Sequence, residues 1–94
     1  MARLVISPTA KQDLSDIFDY IARDKPIAAA NWVEKIEDKC KLIATVPDFG
    51  ELRSEYGVDI RSSVVGRYVI FYRAIKDGIE VARVIPDDRD IRSL

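Results

Sequence analysis

Apolar residues follow two rhythms along this 94-residue chain. From Ala10 to Ile43 they recur at three- and four-residue spacing. From Ile60 to Ile85 they crowd into runs of β-branched and aromatic side chains. In the first region Ala10, Leu14, Ile17, Phe18 and Ile21 form one stripe, with Lys11, Asp13, Asp16, Asp19 and Arg23 opposite. That spacing predicts an amphipathic helix. It starts at Ser7-Pro8, where the serine caps and the proline supplies a preset φ in the first turn. It ends near Asp24-Lys25, because Pro26 disfavours helical geometry in the residue before it. Pro26 opens a second helix with the stripe Ala29, Val33, Ile36, Cys40 and Ile43, widened by Ala28 and Trp32, which stops before Pro47. So tight a connection predicts an antiparallel helical hairpin.

The second rhythm predicts strands. "RLVIS", Arg3 to Ser7, is a short one ahead of the helices. After a loop with turn chemistry, "PDFGELRSEYGV", come Ile60–Val65, Tyr68–Ile75 and Ile79–Ile85. Gly66-Arg67 suits a two-residue turn with glycine first, and a second turn falls near Asp77-Gly78. The order is β-α-α-β-β-β, an α+β domain in which the helical hairpin packs on one face of a small, mostly antiparallel sheet. The chain has no repeats or linkers, and residues 1–94 read as a single domain.

Strand alternation sorts the sheet residues onto two faces. One collects Arg61, Val65, Tyr68, Ile70, Tyr72, Val81, Arg83 and Ile85. The other collects Ile60, Ser62, Val64, Val69, Phe71, Arg73, Ala82 and Val84. Both are substantially apolar, and the pattern leaves open which meets the helices. One helical hairpin covers one face of a sheet. The remaining face is expected either to lie under the loop 47–58 or the tail, or to be covered by another chain, since large bare apolar patches mark partner surfaces.

Charge and composition narrow the chemistry. Fifteen basic and sixteen acidic residues give a formal charge of −1, without the basic excess of a protein that grips a phosphate backbone. There is no histidine, so the commonest general base and transition-metal ligand are missing. The single cysteine, Cys40, lies in an apolar stripe and reads as an inert core thiol, in keeping with a reducing compartment. The N-terminus is too short and too soon broken by Pro8 to be a signal peptide or a membrane span, so the expected location is cytoplasmic. Asp13, Asp16 and Asp19 line one helix face, but three such carboxylates on one helix rarely converge on one ion, and no metal or other cofactor is expected. Arg83, among apolar strand residues, calls for a partner, such as a carboxylate of a helix or of the loop. The tail "PDDRDIRSL" alternates charges that are easily solvated, as in a frayed terminus.

Several stretches resemble the ParE toxins of the RelE/ParE superfamily, in order over nearly the whole chain. They are "SPTAKQDLSDIFDYIARDKPIAAANWVEKIEDK", "VPDFGELRSE", "IRSSVVGRYVIFYR", "DGIEVARVI" and the nearby "RD". The resemblance implies the β-α-α-β-β-β fold and the toxin half of a type II toxin–antitoxin pair. Such a toxin acts without catalysis by binding DNA gyrase, and a ParD-like antitoxin neutralises it in a hetero-oligomer. DNA is then contacted only through the antitoxin. The alternatives are a RelE-type, ribosome-dependent messenger-RNA endoribonuclease, or a toxin-like partner module with reduced toxicity. The superfamily resemblance places Val69, an apolar residue, on the strand where RelE carries a functional arginine, and no tyrosine or histidine follows the last strand. A phosphate-cleaving set of acid, base and cations is therefore incomplete. Many relatives end the last strand with a His-Gly-x-Arg-Asp-like stretch. Here Arg89 and Asp90 match, and Pro86, Asp87 and Asp88 replace the rest. The expected antitoxin-binding residues are Val64, Val69, Phe71, Arg73 and Val84, and the expected target-binding residues are Arg83, Arg89, Asp90 and Arg92.

Overall fold

A computed structural model describes residues 2–87. The elements are β1 (Arg3–Ile6), α1 (Pro8–Ala22), α2 (Pro26–Thr45), β2 (Glu51–Leu52), β3 (Arg61–Val65), β4 (Tyr68–Ile75) and β5 (Gly78–Pro86). Two 3-10 turns, Pro47–Phe49 and Ser54–Tyr56, flank β2, so the segment expected to be plain loop contains a short edge strand. The five strands form one sheet in the order β1-β5-β4-β3-β2, with β1 parallel to β5 and the other pairs antiparallel. The helical hairpin lies on one face.

Local chemistry sets the element boundaries. The Ser7 hydroxyl accepts the Ala10 N–H at 3.0 Å, closing the start of α1 as a serine cap should. Gly66 takes φ 58° at the first central position of the β3–β4 turn, where a left-handed residue lets a two-residue turn fit the strand twist. The β4–β5 turn is Lys76-Asp77, one residue earlier than the Asp77-Gly78 expectation, and Asp77 itself takes φ 65°. Gly78 serves a different need. It opens β5 opposite Arg3, and a β-carbon there would run into the Arg3 backbone.

Between helices and sheet lies a core of Ala10, Leu14, Ile17, Ile36, Cys40, Ile43, Val65, Tyr68, Ile70, Tyr72, Ile79, Val81 and Val84. Trp32 packs against it, edge-on to Tyr68 with ring centroids 5.7 Å apart. The helix-facing side is thus the face of Tyr68, Ile70 and Tyr72.

Strand alternation fails in β5. Tyr72 pairs with Val81, but Phe71 pairs with Arg83, so Ala82 is an extra residue in a β-bulge. Every side chain after it changes face. Val84, expected beside Val69 and Phe71, pairs with Ile70 and is 1% exposed within the helix-side core. Its assignment to the antitoxin face is therefore corrected. Arg83 now lies opposite Phe71, and Ile85 opposite Val69.

Candidate functional site

The face of the sheet away from the helices is not bare among the described residues. Val69 and Phe71 in the middle of β4 are buried, and the turn Ser54–Tyr56 supplies cover. Tyr56 stands edge-on to Phe71 at 5.1 Å between centroids. The Arg53 guanidinium lies 5.0 Å from the Tyr56 ring centre and 5.9 Å from that of Phe71. Arg53 also pairs with Glu55 at 3.0 Å and donates to the Ser62 hydroxyl at 3.2 Å. A bond from its own backbone lowers the Glu55 carboxyl below its usual range, together with the hydrogen bond from Arg53. Of the alternatives for the second face, loop cover is present, although "RSEY" has no periodic signal that would single out Arg53 and Tyr56.

Two anchors hold this loop. The Tyr72 hydroxyl crosses from the core to donate to the Pro47 carbonyl at 2.9 Å and accepts the Gly50 N–H at 2.7 Å. Burial pushes the Tyr72 phenol up, and the Gly50 bond pulls the other way. Arg61 donates to the Gly50 carbonyl at 2.8 Å, and the Arg53 N–H reaches the Ile60 carbonyl at 2.7 Å. Beside the cover, Val64 is 54% exposed on β3. Arg73 is exposed and holds Glu80, its cross-strand neighbour, at 2.8 Å. The outer face thus offers an apolar centre, an uncovered valine and a paired arginine. These features suit a protein segment better than a small charged ligand.

A second constellation joins α1 to β5. Asp13 takes both arms of Arg83, Nε at 2.8 Å and Nη2 at 3.1 Å, and also the Val84 N–H at 2.9 Å. This is the carboxylate partner that Arg83 calls for, and the paired guanidinium is held above its usual pKa chiefly by that bond. By sequence pattern Asp13 is one member of a solvated acidic face; its engagement with β5 sets it apart from Asp16 and Asp19. Among the described residues, no group of three His, Cys, Asp or Glu side chains is placed to hold a metal ion. Between α1 and the end of β5 runs an open groove of about 430 Å³, lined by Asp16, Ile17, Tyr20, Arg67, Ile85 and Pro86, with Asp13 and Arg83 at its wall.

The sequence-predicted residues therefore separate. Val64, Val69, Phe71 and Arg73 share the outer face, Val84 does not join them, and Arg83 is engaged at the edge of β5. Arg89, Asp90 and Arg92 lie outside the described residues. No described helix is long and apolar enough to cross a membrane.

Comparison with known proteins agrees with this geometry. The family model described as "ParE toxin of type II toxin-antitoxin system, parDE" matches residues 4–91. A chain of the solved structure "Chromosomal ParDE TA system from P. aeruginosa" is similar in fold, with a TM-score of 0.78 and 21% identity over 92% of this chain and 96% of that one. No curated protein sequence matches significantly.

Proposed function

The chain belongs to the ParE family of toxins from type II toxin–antitoxin systems, and from that premise we propose that it binds and inhibits DNA gyrase and is held in check by a ParD-like antitoxin in a cytoplasmic hetero-oligomer. Action by binding is the mode typical of the family. The observation that carries the choice over a RelE-type nuclease is Val69. On the strand where RelE has a functional arginine, this chain has a valine that is 4% exposed beside Phe71. Among the described residues, Arg53 holds Glu55, Arg73 holds Glu80 and Arg83 holds Asp13. Stabilising a phosphate transition state needs donors aimed at the developing charge. Arginines committed to carboxylates of their own chain are poorly suited to that task.

In this division of labour the outer face around Val64, Val69, Phe71 and Arg73 receives the antitoxin, and the segment after Asp87, led by Arg89, Asp90 and Arg92, bears on the target. Arginine offers forked donors to carboxylates or phosphates. Induced expression in a sensitive bacterium tests the proposal. DNA-damage signalling and filamentation with intact messenger RNA are expected. Prompt cleavage of translated messages would overturn it in favour of the nuclease.

A further inference from the structure

We propose that Asp13, acting through Arg83 and the Ala82 bulge, is a positioning residue for the target-recognising end of the toxin. The inference rests on the proposal above that the segment after Asp87 bears on the target. β1 accompanies β5 only as far as the pair Ile6–Val81. Beyond it the edge of β5 would be open, but the start of α1 supplies partners in sequence. The Ser7 N–H reaches the Val81 carbonyl at 3.0 Å, and the Ser7 hydroxyl donates to the carbonyl of the bulged Ala82 at 3.0 Å. Asp13 then accepts the Val84 N–H and both arms of Arg83.

A bulge bends and twists its strand and re-aims the residues beyond it. Here it is held from one edge by Ser7 and Asp13. On the other edge Pro86 pairs with Tyr68, and the Asp87 N–H donates to the Arg67 carbonyl at 2.6 Å. The strand is thus held along one edge as far as Val84 and along the other as far as Asp87, the last described residue. Sealing the edge at Val84 would need only a neutral acceptor. The carboxylate adds a forked, charge-assisted hold on Arg83, with the Asp13 side chain 11% exposed and that of Arg83 51%. Arg83 therefore serves the target end indirectly, by fixing the strand, rather than as a free contact.

The test is a double-mutant cycle of Asp13→Asn and Arg83→Gln, with a chain cut after Asp87 as a control. Each variant is scored for cell killing, antitoxin affinity and melting temperature. Asn keeps an oxygen for the Val84 N–H but loses the charge that holds the fork. Each single change is expected to cut killing at least tenfold, with the double no worse than the poorer single, because coupled residues are non-additive. Antitoxin affinity should stay within about twofold and the melting temperature within a few degrees. If the cut chain kills normally, or the intact chain does not kill, the target-end proposal fails and takes the inference with it. If the cut abolishes killing, two outcomes overturn the inference alone. In one, Asp13→Asn kills normally. In the other, it loses killing, antitoxin affinity and melting temperature together.

Discussion

The ring of Tyr56 stands at 70° to that of Phe71, their centroids 5.1 Å apart, and this contact closes over the centre of a sheet face that the helices never reach. Edge-to-face pairs of this kind add about 0.5–1.5 kcal/mol beyond the area they bury. Tyr56 is itself 47% exposed, so its own burial contributes only in part. Tyr56→Ala should lower stability by about 1–2 kcal/mol in urea unfolding. It should also raise binding of an apolar-sensitive dye, because Phe71 loses its cover. No change in dye binding would mean that other residues cover Phe71.

Val64 gives the cleanest probe of the partner surface, because its side chain is exposed and packs no core. Val64→Asp should leave the melting temperature within about 2 °C, in keeping with surface substitutions. It should weaken antitoxin binding at least tenfold by calorimetry or a surface-binding assay. Unchanged affinity would move the antitoxin to another face.

Tyr72 links core and cover. Its ring lies in the core at 0% exposure, while its hydroxyl ties down Pro47 and Gly50. Tyr72→Phe keeps the ring but leaves the Gly50 N–H unpaired in a buried position, which costs about 1–3 kcal/mol. Urea unfolding measures the loss. Amide exchange at Gly50 should accelerate well beyond that of α2, since the latch is local.

Much of this architecture is legible in the sequence because its signals are local. The stripes through Leu14 and Ile36 define the helices, Ser7-Pro8 marks the start of α1, and Gly66 marks a turn that needs a left-handed residue. The faces of β3 and β4 come from simple alternation. That reasoning ends at Ala82, because "EVARVIP" contains nothing that announces an extra residue. The bulge is set by tertiary partners, Ser7 and Asp13, about 70 positions away in the chain. Alternation misplaces Val84 for that reason alone. The two-residue strand Glu51–Leu52 is too short for a period, and the cover by Arg53 and Tyr56 depends on anchors at Tyr72 and Arg61. Gly78 has the signature of a turn glycine, whereas its use is the close approach of Arg3.

Cys40 carries a pH prediction. Burial, aided by the charge of Glu37, pushes its thiol up to about 11 from 9.0. Between those values the unfolded chain releases the proton while the native chain keeps it, so stability falls as pH rises. The thiol's contribution is intact below about pH 9 and is lost toward 11, by roughly 2–3 kcal/mol if the full shift is realised. Cys40→Ala should flatten that part of the stability profile. Alkylation of the native protein at pH 8 should be slow and should become fast only in denaturant.

Gyrase inhibition by the purified chain is the most direct measurement of all. With gyrase, ATP and relaxed plasmid, the toxin should block supercoiling at a stoichiometry near that of the enzyme. Added antitoxin should restore it, and the same toxin should leave messenger RNA intact on translating ribosomes. Uninhibited supercoiling together with cleavage of ribosome-bound message would contradict action by binding gyrase.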